Sequence, residues 1–191
     1  MRSPLLALVL AAATLAPART AAPASPIFRI DSANSVAQFT VTKLGFSDVA
    51  GRFTESSGDV RWYAPEPESG SVAWRVRVAS VRTDSRDRDG ALQSADYFDA
   101  ARHPELSFVS TRVRPISPGV IEVTGRLTMR GVTRNQTLIV RHGGPATRPT
   151  FETDFEVDRY DFGIEGGRVM SRLIGRTVRI HLRLITMEHT S

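Results

Sequence analysis

The chain contains no cysteine, and this absence removes several classes of protein. Disulfide bonds, thiolate metal sites, a cysteine nucleophile and a lipid-modified N-terminal cysteine are all excluded. A domain without such cross-links has to be stabilised by its own apolar core. The chain has 191 residues, of which 41% are hydrophobic, so it is long enough to bury one such core.

Lysine is almost as scarce. Lys43 is the single lysine among 25 basic residues, and all the others are arginines. The arginines alternate with apolar or acidic residues, as in Arg75-Val76-Arg77, whereas nucleic-acid-binding proteins more often cluster basic residues beside exposed aromatic ones. The pattern indicates the solvated face of strands and argues against a nucleic-acid partner.

Long apolar runs are also missing, apart from Leu5 to Ala16 near the start of the chain. This run follows Arg2, is too short to span a bilayer, and leads into the small-residue stretches Ala16-Pro17-Ala18 and Thr20-Ala21-Ala22. These are the features of a secretory signal peptide. We therefore expect a signal peptide at residues 1–24, one domain at residues 25–191, and a periplasmic or secreted location after cleavage.

Period-two alternation of apolar and polar residues dominates the rest of the chain and predicts strands with one buried face. In the clearest example, every second residue from Val178 to Leu184 is aliphatic, and those between are Arg or His. About eight such segments are separated by short turn signals such as Ser117 to Gly119, which predicts antiparallel neighbours. Eight strands can close into a barrel that holds one small ligand. A two-sheet sandwich has the same pattern and stays open.

Residues Ser85 to Ala101 interrupt the alternation and predict a helix. Asp87 or Asp89 can cap its N-terminus, and Pro104 follows its end. The same acidic residues match a calcium-binding loop only loosely, because arginines interleave with them and a strand precedes them. We expect one short helix near a barrel mouth, as a lid or plug.

Catalytic motifs are missing. The segment most similar to a nucleophile elbow, Gly45-Phe46-Ser47-Asp48-Val49, lacks the final glycine, and there is no glycine-rich phosphate or dinucleotide loop. The four histidines lack the local spacing of a zinc site; they are His103, His142, His181 and His189. We therefore expect a protein that is not an enzyme, with no catalytic residue, no metal and no cofactor.

Several phrases along the chain carry a family resemblance when they are taken in order. They are Val36 to Phe53 with Leu44-Gly45-Phe46-Ser47 inside it, Ala79 to Thr83, Arg88 to Asp99, His103 to Thr111, Gly125 to Thr133 and Arg159 to Ile164. In this order and spacing they closely resemble the YceI-like, polyisoprenoid-binding family. The resemblance runs from about Phe28 to Met187, nearly the whole expected domain.

The resemblance implies an all-β, eight-stranded antiparallel, lipocalin-like barrel in the bacterial periplasm or outside the cell. Its apolar pore takes an isoprenoid, a quinone-like lipid or another long-chain amphiphile, and no catalytic residues are established for the family. The candidate lipid-binding residues lie on the predicted inward faces or in the last family phrase. They are Phe39, Val41, Trp62, Trp74, Val76, Phe108, Leu127, Phe155, Phe162 and Leu182.

The chain departs from the family pattern at three positions where histidine is common, namely Asn34, Lys43 and Ala91. These replacements leave the polar end of the ligand undetermined. The leading interpretation is a lipid-binding or shuttling protein. The alternative is a stress-response or membrane electron-transfer accessory protein in which the bound lipid is incidental. Transient membrane contact and a homodimer stay open as further partners.

Overall fold

The computed structural model describes residues 25–167 and 170–188, so the predicted signal peptide lies outside the described residues. The described part contains eleven strands and one α-helix. These are β1 (Ile27–Ile30), β2 (Val36–Lys43), β3 (Ser47–Phe53), β4 (Ser56–Arg61), β5 (Ser71–Arg77), β6 (Val81–Arg82), α1 (Arg86–Gln93), β7 (Glu105–Ser117), β8 (Val120–Met129), β9 (Val132–Gly143), β10 (Thr150–Asp158) and β11 (Ile174–Glu188). Single 3-10 turns lie at Pro67–Ser69, Val78–Ser80, Arg159–Phe162 and Met170–Arg172.

The strands form one closed antiparallel sheet. It runs β1-β4-β5-β7-β8-β9-β10-β11, and β11 pairs back onto β1. β11 closes the ring by pairing with both β1 and β2, because Thr186 pairs with Ile30 on β1 while Arg183 pairs with Val36 on β2. β1 and β2 are therefore the two halves of one bent strand. In the same way, β3 and β4 are the halves of a second bent strand, and β5 and β6 are the halves of a third. Counted this way there are eight strands. The predicted barrel is confirmed and the sandwich is excluded.

The predicted alternation places the core inside the barrel. On β8 the odd-numbered residues from Ile121 to Met129 are all buried, and the residues between them are half-buried or exposed. Phe151, Val157, Leu182 and Leu184 continue the same buried layer on β10 and β11. Since successive side chains of a strand point to opposite faces, a polar outer face and an apolar interior follow directly.

The predicted helix exists, but its bounds and cap differ from the expectation. It is confined to Arg86–Gln93, and its N-cap is Ser85, whose hydroxyl accepts a hydrogen bond from the Arg88 amide. The Asp89 carboxylate instead accepts from the amide and hydroxyl of Thr83, so it holds the preceding loop. Turns follow the helix, because Ser94 has an extended backbone and Asp99 has a positive φ of 52°.

No helix in the described ranges is both long enough and apolar enough to cross a membrane.

Candidate functional site

A cavity of about 420 Å³ occupies the half of the barrel under α1. Its volume lies in the usual range of small-ligand sites, roughly 300–1,000 Å³. Most of the lining residues are apolar and come from strands on all sides of the barrel. The apolar ones are Ala37, Phe39, Val41, Val49, Phe53, Trp74, Val76, Ala91, Leu92, Phe98, Leu106, Leu127, Met129, Phe155, Val157, Ile164, Ile174, Val178 and Ile180.

Trp74 forms the floor of this cavity. It also lines a second cavity of about 60 Å³ in the opposite half of the barrel, so its indole divides the interior. Trp74 is only 7% exposed, and its Nε1–H is the one fully buried side-chain donor without a partner in the described part of the chain. Beyond it, Trp62 and Phe151 meet edge to face with ring centroids 5.1 Å apart. Apart from the small cavity, the far end of the barrel is therefore filled by side chains.

Glycines opposite aromatic rings keep the interior open. Phe39 pairs with Gly51 across β2 and β3, and a Cβ at Gly51 would lie 2.3 Å from the Phe39 ring. A Cβ at Gly125 would lie 2.4 Å from the Phe108 ring. Both rings therefore lie against the barrel wall over a glycine, as in aromatic rescue of strand glycines. At Phe39 this packing leaves the centre of the larger cavity free, whereas Phe108 borders the smaller cavity.

Helix α1 and the turns after it cover the mouth of the larger cavity. Leu92 and Phe98 line the cavity from this cover, although Phe98 lies beyond the helix rather than in it. Lys43, Asp87 and Arg88 are polar lining residues at the same end, and Asp87 is exposed, so the cavity reaches solvent here. The cavity thus has one polar mouth and one apolar floor.

Three further residues with polar groups line the cavity, namely the exposed Gln38 on β2 and, on the interior side, Tyr97 and Arg159. Tyr97 is half-buried beneath the cover, and burial raises the pKa of its phenol above the usual range, so the hydroxyl stays neutral. Arg159 is only 4% exposed. Its guanidinium donates to backbone carbonyls, which are those of Ile164, Glu165, Ser171, Ile174 and Gly175, and to the Tyr160 hydroxyl. Arg159 therefore ties the segment after β10 to the start of β11.

The ten predicted lining residues fall into three groups. Six border the larger cavity: Phe39, Val41, Trp74, Val76, Leu127 and Phe155. Three border the smaller one, and these are Trp62, Phe108 and Leu182. Phe162 is buried but borders neither cavity, because it lies in the 3-10 turn after β10. The alternation thus places nine of the ten residues in the barrel interior. It does not reveal that Trp74 divides this interior into two cavities.

The three departures from the family pattern also separate in space. Lys43 and Ala91 line the mouth of the larger cavity. Asn34 does not line either cavity. Its amide side chain donates to Asp31 at 2.8 Å, and this hydrogen bond, together with that from Arg148, lowers the pKa of Asp31. Only Lys43 and Ala91 are therefore positioned to affect the polar end of a ligand.

A group that sequence spacing does not reveal lies on the outer face of the barrel. Glu152, Asp154 and His181 have potential metal-ligating atoms within 4.8 Å of one another, because Asp154 and His181 pair directly across β10 and β11. Arg141 contacts both carboxylates, at 3.2 and 3.6 Å. An exposed ion-pair network accounts for this cluster, and it is separate from the cavities.

The structure is a closed antiparallel barrel around an apolar cavity with one mouth. This architecture is typical of barrels that can hold a single small ligand. The chain belongs to the YceI-like domain family, whose profile matches residues 28–185.

Relatives and solved structures agree with this assignment. A UPF0312 protein of Pseudomonas putida strain GB-1 is 30% identical over 146 residues, which cover 73% of this chain and 76% of the relative. The crystal structure of Burkholderia cenocepacia BcnA superposes with a TM-score of 0.77 at 24% identity, covering 82% of this chain and 98% of BcnA. A polyisoprenoid binding domain from Saccharophagus degradans, implicated in plant cell wall breakdown, superposes with a TM-score of 0.67 at 19% identity, covering 86% and 99%. Both structures share the barrel fold.

Proposed function

We propose that this protein holds the apolar chain of a polyisoprenoid or similar amphiphilic lipid inside its barrel. The observation that carries the proposal is the cavity of about 420 Å³, which has mostly apolar walls and carries its charged groups only near its mouth and at Arg159. This arrangement suits a ligand with a long apolar tail and a polar head. The polyisoprenoid-binding description of the Saccharophagus degradans neighbour supports the same class of ligand.

The proposal is one of binding and not catalysis. Among the residues that line the larger cavity there is one carboxylate, Asp87, and no histidine, serine or threonine. General acid–base or nucleophilic chemistry needs a base within hydrogen-bond reach of a second reacting group. Lys43, Arg88 and Arg159 supply positive charge instead. The lining therefore supports recognition of a ligand more than its conversion.

Ligand binding should raise the thermal stability of the delipidated protein. A ligand that binds only the folded state at a hundredfold excess over its dissociation constant adds about 2.7 kcal/mol to the free energy of unfolding. For a domain of this size, that corresponds to a rise in Tm of about 5–10 °C. Thermal unfolding with geranylgeraniol, with the short-chain geraniol as control, measures the effect. Identical midpoints for the protein without ligand, with geraniol and with geranylgeraniol would contradict the proposal.

We also propose that the protein works in the periplasm or outside the cell. The support is the sequence pattern of residues 1–24, in which Arg2 precedes an apolar run and small residues follow. Intact-mass analysis of protein from the periplasm or medium should show a new N-terminus between Arg19 and Ser25. A protein recovered from the cytoplasm and still starting at Met1 would contradict the proposal.

A further inference from the structure

Two large apolar side chains project into solvent at the turn between β2 and β3. Phe46 is 82% exposed and Leu44 is 50% exposed, and we call Leu44, Gly45 and Phe46 the hairpin tip. Phe46 is the most exposed large apolar residue in the described part of the chain. Isolated apolar residues are common on protein surfaces, but two together at one protruding turn need a reason.

The hairpin tip is held in place. Leu44 has a positive φ of 56°, which is uncommon for a residue other than glycine, and Gly45 follows with a φ of 77°. The Leu44 amide donates to the Leu173 carbonyl at 2.7 Å, which fastens the tip to the segment before β11. The backbone therefore directs these side chains away from the protein in a defined geometry.

The hairpin tip adjoins the mouth of the larger cavity. Lys43 directly precedes the tip and pairs with Ile174, and both residues line the cavity. The opposite end of the barrel is filled by Trp62 and Phe151. A lipid that enters or leaves through the open end therefore passes beside the exposed Phe46 and Leu44.

The charges around the hairpin tip favour an anionic surface. Lys43 and the exposed Arg172 form no ion pair within residues 25–167 and 170–188, whereas the nearby Asp48 carboxylate accepts hydrogen bonds from Thr42 at 2.8 Å and Arg179 at 2.6 Å. The hydrogen bond from Thr42 and the neighbouring Arg179 lower the pKa of Asp48, so it stays ionised and matched by Arg179. Positive charge without an ion-pair partner in the described ranges thus lies beside the apolar tip, at Lys43 directly before it and at Arg172 next to Leu173, which holds the tip.

We propose that the hairpin tip docks this protein on a phospholipid bilayer. Leu44 and Phe46 enter the boundary between head groups and acyl chains, while Lys43 and Arg172 lie against anionic head groups. The docked orientation places the cavity mouth on the membrane, where an apolar ligand can transfer without crossing water. The inference rests on the proposed lipid-binding function and adds the surface at which the lipid is exchanged.

Co-sedimentation with vesicles of phosphatidylethanolamine and phosphatidylglycerol tests the proposal. Phe46→Ser should lower the affinity for these vesicles about tenfold, since burying a Phe side chain changes a binding constant by roughly that factor. Leu44→Asn should also weaken binding, and asparagine tolerates the positive φ at this position. Ile116→Ser is the matched control, because Ile116 is 49% exposed at the opposite end of the barrel, and it should bind like the wild type. High salt should weaken binding of every variant.

Two further measurements separate the outcomes. The rise in Tm with geranylgeraniol should be the same in all four proteins, because the hairpin tip lies outside the cavity. If that rise is absent while vesicle binding persists, the proposed function fails and the docking surface stands. If the tip variants sediment with vesicles like the wild type, docking is overturned. Docking is also overturned if the wild type ignores vesicles and elutes as a dimer that Phe46→Ser converts to a monomer.

Discussion

Replacement of Arg159 by methionine is expected to cost the fold about 3–5 kcal/mol, a large fraction of the stability of an ordinary domain. Arg159 is 4% exposed, and its acceptors are mostly backbone carbonyls, of which that of Ile164 is reached by a fully buried hydrogen bond and that of Ser171 by a partly buried one. Methionine fills a similar volume but donates no hydrogen bond. The Ile164 carbonyl and several partly buried carbonyls would then lack this donor, and leaving a buried acceptor unpaired costs about 1–3 kcal/mol.

Lysine should not rescue this position. Its ammonium is a compact charge with three donors, whereas the planar guanidinium of Arg159 reaches the Gly175 carbonyl through Nε and the Ile164 carbonyl through Nη1, at 2.9 and 2.7 Å. Arg159→Lys should therefore lose most of the stability that Arg159→Met loses. The segment after β10 and the start of β11, which Arg159 connects, also line the cavity through Ile164 and Ile174. Ligand retention should fall together with stability.

Urea unfolding of the two variants measures the loss, with Arg179→Met as the matched control. Arg179 is 54% exposed and pairs with Asp48 on the outer face of the barrel. An exposed ion pair contributes little to stability, so this control should unfold almost like the wild type. Equal midpoints for Arg159→Met and the control would show that the carbonyl network around Arg159 does not stabilise the fold.

The barrel could be predicted from sequence because strand alternation is local and survives tertiary packing. Every second residue of β8 is buried as the pattern requires, and short turns make neighbouring strands antiparallel. The ends of α1 could not be predicted in the same way. Ser94 stops the helix with an extended backbone, and its hydroxyl turns back to the Ala91 carbonyl, which the spacing of apolar residues does not reveal.

The same alternation also contains a signal for Arg159. Phe155 and Val157 point inward, and the next residue of that parity is Arg159, so a charged side chain in the interior follows from counting alone. The shape of the cavity is a different matter. It depends on which rings lie against the wall and which, like Trp74, cross the interior, and these are properties of packing between strands.

The glycines behind the rings provide the second prediction, in which two similar substitutions lower different quantities, ligand affinity in one case and stability in the other. Gly51→Ala should lower ligand affinity with little loss of stability. The three heavy atoms nearest to its new Cβ all belong to the Phe39 ring, the nearest at 2.3 Å, and the cavity beside the ring gives the ring space to move. A ring displaced into the cavity takes the room of one or two methylene groups. Since each buried methylene contributes about 0.8 kcal/mol, affinity for geranylgeraniol should fall roughly four- to fifteenfold.

Gly125→Ala should instead destabilise the barrel. Its Cβ would lie 2.4 Å from the Phe108 ring and 2.6 Å from the Val109 carbonyl oxygen, and the backbone cannot retreat without disturbing β7. Phe108 borders the small cavity and not the larger one, so ligand affinity of the protein that remains folded should change little. Overpacking of this kind typically costs about 1–3 kcal/mol.

Urea unfolding and titration with geranylgeraniol, carried out on both glycine variants, separate the two effects. We expect Gly51→Ala to lose affinity while keeping its stability, and Gly125→Ala to lose stability while keeping its affinity. If Gly51→Ala bound geranylgeraniol like the wild type, the Phe39 ring would not have moved into the space that the ligand occupies, and the prediction would be wrong. If both variants lost only stability, the rings would form a solid core, and the space between them would not be where the lipid chain lies.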